Sequence, residues 1–214
     1  MAAPKFERAV AHGLYVGTMR SLLHLLKYDG LEPIASKLGG LLATRVAAVE
    51  GLPTKMLVVP TPLYPGKRRE RGFNQAELLA RAACEAMRKL NPKWEGEIAP
   101  GILVRQRATM SQAGLTNAER RRNLRGVFSV PQPEKLRGRD VLLIDDIYTT
   151  GATARACSAA LKKGGAARVW VATVARAQKR EIRFGSSMIS AATPMGEDVA
   201  MWDGTMNGGG TTNQ

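Results

Sequence analysis

One stretch of the chain constrains its fold more than any other: Val141-Leu142-Leu143-Ile144-Asp145-Asp146-Ile147-Tyr148-Thr149-Thr150-Gly151-Ala152-Thr153. The unbroken apolar lead reads as a strand buried on both faces, the pattern of a parallel sheet covered by helices. It ends in two adjacent carboxylates. A short loop of hydroxyl residues and glycine then turns into a helix over 154–163, stopped by Gly164-Gly165. Ligands of open α/β sheets bind at the carboxyl ends of strands, which is where this order puts Asp145 and Asp146.

The rest of the sequence fits the same architecture. Met56–Val59, Ile102–Val104, Val127–Val130 and Val169–Val174 are short apolar runs that read as strands. Leu22, Leu23, Leu25 and Leu26 mark a helix over 18–27 that stops at Asp29-Gly30, and Ile34, Leu38, Leu41, Leu42 and Val46 mark a second after Pro33. Asn74 is placed to cap a long helix carrying Leu78, Ala82, Ala86 and Leu90, ended by Arg88, Lys89 and Pro92. Strands alternating with helices predict an α/β fold, a mostly parallel central sheet flanked by helices. We divide it into an N-terminal helical segment at 1–50, a core at 51–177, and a low-complexity tail at 178–214 that contains Gly208-Gly209-Gly210 and reads as disordered.

Charge narrows the function. Lys and Arg number 32 against 18 Asp and Glu, a net charge of +14 that calls for an anionic partner. The loop 60–73 contains Lys67-Arg68-Arg69-Glu70-Arg71, and residues 105–125 hold six arginines against Glu119. Cys84 and Cys157 are far apart, with no CxxC pair and only His12 and His24 beside them, so a zinc ribbon is excluded. Unpaired thiols suit a reducing compartment, and neither a signal segment nor a run of about 20 apolar residues occurs, so the expectation is a cytoplasmic protein without a membrane span.

The loop after the acidic pair offers what a phosphate monoester needs. Thr149, Thr150 and Thr153 bring hydroxyls, successive backbone N–H groups converge, and the positive end of a helix begins there. Gly151 lets the backbone approach closely. The carboxylates would repel that phosphate but make strong hydrogen bonds to sugar hydroxyls. A ligand with a phosphate at one end and a ribose diol nearby meets both demands. Rivals fail on spacing: the chain has no G-x-x-x-x-G-K-[ST], no G-x-G-x-x-G, and Ile147 stands where an aspartyl phosphatase would need its second acid. A solvated acidic loop following a core strand is the remaining plain alternative.

The run VLLIDDIYTTGAT resembles the phosphoribosyl-pyrophosphate (PRPP) motif of type I phosphoribosyltransferases. Val59-Pro60-Thr61-Pro62-Leu63, Arg71-Gly72-Phe73-Asn74-Gln75, the stretch Arg107 to Asn123 and the N-terminal LLKYDG at 25–30 are similar to the competence-associated ComF family. The resemblance spans roughly residues 13–176. It implies the type I phosphoribosyltransferase fold with an N-terminal helical hood, and transfer of ribose 5-phosphate from PRPP to a nitrogen acceptor with release of pyrophosphate. It further implies that Asp145 and Asp146 hold the ribose hydroxyls and that Thr149, Thr150, Gly151, Ala152 and Thr153 bind the 5′-phosphate. Lys67, Arg68 and Arg71 would meet pyrophosphate, with Mg²⁺ carried by its oxygens and no direct protein ligand. Residues 105–123 would form a closing loop with Arg105 as a catalytic contact, Arg107 on the loop and Gly114 as its hinge.

Two departures limit what carries over. Many members begin with a cysteine-rich zinc ribbon whose cysteines are missing here, and the tail has no counterpart. The family's link to DNA uptake keeps a second class open, a PRPP sensor or silent pocket in a protein that meets DNA or a partner of the competence machinery. Low aromatic content, 5%, disfavours single-strand stacking. The partners the resemblance implies are PRPP and a small-molecule acceptor, and a homodimer is compatible with it.

Overall fold

A computed structural model describes residues 3–29, 31–108, 124, 126–177 and 201–203. In chain order the elements are β1 (Arg8–Leu14), α1 (Gly17–Asp29), α2 (Glu32–Ala47), β2 (Lys55–Pro60), α3 (Pro65–Arg71), α4 (Gln75–Leu90), β3 (Glu95–Ile98), β4 (Val104–Arg105), β5 (Phe128–Ser129), a 3₁₀ turn (Pro133–Lys135), β6 (Asp140–Tyr148), α5 (Ala152–Lys163), β7 (Arg168–Arg176) and β8 (Met201–Asp203). The main sheet has the order β3-β2-β6-β7-β1-β8. Every pairing in it is parallel except that of β8 with β1. β4 and β5 form a separate antiparallel pair.

The period of two along the central strands sorts the sheet into two cores. Val58, Leu142, Ile144, Trp170, Ala172 and Val174 face a layer that contains Leu23 and Leu26 of α1, Leu38 and Leu42 of α2, and Leu79 and Ala83 of α4. Leu57, Val59, Val141, Leu143, Val169 and Val171 face the other side, with Cys157 and Leu161 of α5 and the β4–β5 pair. Both faces are therefore apolar, which explains the continuous apolar runs in β2, β6 and β7. Cys84 and Cys157 are buried, free thiols, and burial pushes the Cys84 thiol up to about 11.

The expected sheet, helices and capped α4 are present, and four elements were not anticipated. β1 carries His12 and Gly13 and has no clean alternation; it is a strand because β7 supplies a parallel partner from Arg8↔Trp170 to Leu14↔Arg176. β3, the Glu95-Gly96-Glu97-Ile98 run, is likewise made a strand by its pairing with β2. α3 lies within the stretch expected to be loop. It buries nothing, but Pro65 sits in its first turn and Gly72, at φ 78°, closes it. β8 falls inside the segment expected to be disordered; the rest of 178–214 lies outside the described residues. The run expected at Ile102–Val104 is a strand only at Val104–Arg105, and Ile102 and Leu103 are buried beside it. Among the described residues no helix is long and apolar enough to cross a membrane.

α2 and α4 approach closely at Gly39, where an added Cβ would overlap the Ala82 methyl and lie 2.8 Å from the Ala83 amide nitrogen. At the neighbouring Gly40 nothing lies within 4 Å. Two identical substitutions should therefore have opposite signs. Gly39→Ala should destabilise by about 1–3 kcal/mol through overpacking, and Gly40→Ala should stabilise by roughly 0.5–1 kcal/mol through helix propensity. Urea unfolding of both variants checks this; equal effects would mean the helices are not in contact there.

Candidate functional site

β6 runs to Tyr148, so both aspartates stand on its last residues rather than on the loop. Successive side chains of a strand point to opposite faces, and this separates the pair. Asp145 continues the Val141–Leu143 row and lines a small hollow with Thr149, Gly151, Thr153, Ala154 and Thr173. Asp146 continues the Leu142–Ile144 row toward the α1–α2–α4 layer and is only 6% exposed.

Asp146 is held from three sides. Its Oδ2 accepts from Lys27 Nζ of α1 at 2.9 Å and from Gln75 Nε2 of α4 at 3.5 Å. Its Oδ1 accepts from the Ile147 amide at 2.8 Å. Burial works to lower the Lys27 ammonium, but the two aspartates, Asp146 foremost, outweigh it and hold it above its ordinary value. Asp145 Oδ1 accepts from the Asp146 amide at 3.0 Å. Burial first, and the neighbouring Asp146 charge second, push the Asp145 carboxyl well above the usual carboxylate range. One side chain of the pair is thus clamped, and the other faces the hollow in a form that resists ionisation.

The loop beyond the strand is shaped by Gly151. Its φ is 72°, a left-handed conformation that L side chains rarely adopt, and a Cβ there would overlap the Tyr148 hydroxyl. Gly151 is the N-cap of α5, so first-turn amides of a 12-residue helix open toward the hollow. Among the described residues the only loop amide with an acceptor inside the protein is that of Ala152, which donates to Thr150 Oγ1 at 3.3 Å. Thr149 is exposed and Thr150 and Thr153 are half-buried. Thr173 of β7, opposite Asp145 in register, donates from its hydroxyl toward Val10 and Ala175 carbonyls at 3.4 and 3.3 Å and ties β1 in below the site.

The expected basic residues divide. Arg105 is half-buried at the end of β4, its guanidinium 5.9 Å over the Phe128 ring. Burial lowers its pKa, while Cys157 and Asp145 act in the opposite sense, which places it in electrostatic reach of Asp145. Arg107 is exposed just beyond. Arg71 Nη1 donates to Gln75 Oε1 at 3.2 Å, so it joins the site through Gln75 and Asp146. Lys67 and Arg68 are exposed and paired elsewhere, with Glu70 at 3.9 Å and Glu77 at 3.2 Å. Gly114 and Arg120 to Arg122 lie outside the described residues.

Asn74 is a cap: its Oδ1 accepts from the Ala76 amide and its Nδ2 donates to the Thr61 carbonyl, both at 3.1 Å. Gln75 does the work at the site. Lys27 was not singled out from the sequence, although a signal exists: it lies four residues after the buried Leu23, one helical turn on, and is itself half-buried. A wider cleft of about 700 Å³, lined by Leu57, Glu97, Ile102, Gln132, Arg137 and Arg139, opens at the other end of β6, away from these groups.

Residues 101–189 match the phosphoribosyl transferase domain family. DNA utilization protein YhgH of Escherichia coli strain K12 is 34% identical over 172 residues, which is 78% of this chain and 71% of that protein. Competence protein F of Haemophilus influenzae is 30% identical over 178 residues, 81% of this chain and 75% of that protein. The chain belongs to the ComF family. Its mostly parallel sheet, flanked by helices, has the type I phosphoribosyltransferase fold. Among solved structures, glutamine PRPP amidotransferase from B. subtilis aligns with a TM-score of 0.43 and 17% identity over 77% of this chain and 31% of that one. This ComF-family chain spans less than a third of that enzyme. The matched domain contains Arg105, the aspartate pair and the 149–153 loop, whereas Lys67, Arg68 and Arg71 precede it.

The raised Asp145 carboxyl has a consequence for stability. A group that binds its proton more tightly folded than unfolded stabilises the fold below its unfolded pKa of about 3.9, and that contribution is lost as pH rises through the higher folded value. Asp145→Asn should therefore raise the melting temperature at pH 7, by roughly 2–4 °C for each kcal/mol relieved in a domain of this size. The gain should vanish near pH 4. Gly151→Ala should act the other way, costing about 1–3 kcal/mol. Calorimetry across pH 4–8 checks both, and a pH-independent Asp145→Asn effect would contradict the first.

Proposed function

We propose that the chain binds PRPP and transfers its ribose 5-phosphate to a nitrogen nucleophile with release of pyrophosphate. The observation that carries this reading is the conjunction, within one hollow, of a half-buried Asp145 and the open amides at the start of α5 shaped by Gly151. The amides and the Thr149, Thr150 and Thr153 hydroxyls would take the 5′-phosphate. A vicinal diol laid across the end of β6 would be met by Asp145 from one face and Asp146 from the other.

Departure of pyrophosphate leaves positive charge on the sugar, as in glycoside cleavage. The aspartate pair would stabilise that charge and orient the ring, acting through fixed electrostatics. Arg105, within electrostatic reach of Asp145, would meet the leaving group. Arg71 would approach through Gln75, and Lys67 and Arg68 would have to exchange their carboxylate partners for phosphate oxygens. Among the described residues no group of three or more His, Cys, Asp or Glu could hold a metal ion. Mg²⁺ carried on pyrophosphate oxygens would supply charge neutralisation there.

With PRPP and Mg²⁺ at a hundredfold excess over Kd, stabilisation of about 2.7 kcal/mol is expected, on the order of 5–10 °C in melting temperature. The double variant Asp145→Asn, Asp146→Asn should show none of that shift; a full shift in the double variant would remove the aspartates from the site. Pyrophosphate release across nucleobases, amines and ammonia tests turnover and identifies the acceptor.

The names of the relatives and the charge of +14 support a second reading, a PRPP-responsive protein that meets DNA. Lys67 and Arg69 on the exposed side of α3 are candidates for phosphate contacts. Duplex DNA should then bind in a salt-sensitive manner that weakens when both are neutralised. No binding at low salt ends this reading.

A further inference from the structure

We propose that Lys27 is a positioning residue of this site: its ammonium reaches from the helical layer to the end of β6 and fixes the charge and orientation of the aspartate pair. The contact is built rather than incidental. Lys27 sits on a helix whose Leu23 and Leu26, on the same face, are 1% and 0% exposed, so the helix is anchored in the core on that side of the sheet. It points to a carboxylate whose other contacts, Gln75 and the Ile147 amide, come from different elements. Asp146 at 6% exposure has little water to solvate it. A carboxylate so placed requires a cation or a proton, and Lys27 is the cation at 2.9 Å.

The adjacent acid sharpens the requirement. Two neighbouring carboxylates in low dielectric resist double ionisation unless positive charge offsets it. The groups facing the pair are Lys27 from α1 and Gln75 from α4 on the Asp146 side, with Arg105 from β4 and Cys157 from α5 on the Asp145 side. Tyr15 lies beside Lys27 from the segment before α1. Lys27 pulls Asp145 downward against burial and against Asp146, so one ammonium acts on both acids. Its use in setting a sugar diol rests on the phosphoribosyl reading; its control of the pair's charge does not.

The test uses the full chain without ligand. Carbon-13 titration of the aspartate carboxyls compares wild type with Lys27→Met and Lys27→Arg. In Lys27→Met the titration of Asp145 should move up by about one to three pH units, and Lys27→Arg should restore most of it. A folded Lys27→Met protein in which Asp145 titrates as in wild type overturns the proposal. Should Lys27→Met fail to fold, Asp146→Asn reads the same coupling from the other side. The Lys27 ε-carbon should then titrate at lower pH, because burial is opposed only by Asp145 and Tyr15; an unmoved Lys27 titration is the overturning result. PRPP is added last. If it fails to shift the wild-type melting temperature, the phosphoribosyl reading falls while the carboxyl titrations still decide the role of Lys27.

Discussion

The structure turns on the way β6 ends. A strand with apolar neighbours on both faces must alternate its side chains between two separate cores. When its last residues become acidic, the same alternation delivers one carboxylate to each face. Asp145 arrives on the α5 side beside the 149–153 loop, and Asp146 arrives on the helical side against Lys27 and Gln75. Neither position could be changed alone. A one-residue slip of β6 would exchange the two faces and put Ile144 or Asp146 where Asp145 now stands.

The two faces impose different chemistry on identical side chains. Asp146 has a cation, an amide side chain and a backbone N–H as partners. Asp145 has the Asp146 amide and a neighbouring negative charge, so burial and that charge push its carboxyl above the usual carboxylate range. Environments that push two equal groups apart are a familiar basis for dividing roles within a site. Here the division follows from strand geometry alone, before any ligand is considered.

The N-terminal segment contributes to this arrangement in two ways. β1 pairs with β7 along seven residues and places Val10 under Thr173, so the segment is part of the sheet. α1 then returns over the other face and brings Lys27 to Asp146. The helical layer is thereby joined to the end of β6 by an ion pair as well as by apolar packing. Its contact through Arg71, which lies 5.4 Å over the Tyr28 ring and donates to Gln75, extends the connection to α3.

Much of this was legible from the chain alone. Short apolar runs that exceed any amphipathic pattern and are bounded by Pro, Gly or charged residues read as strands covered on both sides, which yielded β2, β6 and β7 and the α/β class. The acidic pair, the hydroxyl loop and Gly151 are local in sequence, so their placement at a strand end and helix start could be read directly. Tertiary structure decided what depends on partners distant in sequence. β1 and β3 lack a decisive period and became strands because β7 and β2 offer free edges; α3 is a helix that buries nothing. The separation of Asp145 from Asp146 needed the two cores, and Lys27 and Gln75 reach Asp146 across 119 and 71 positions. Local patterns report backbone preference and burial, whereas the charge on a buried group is set by whatever the fold brings within a few ångströms of it.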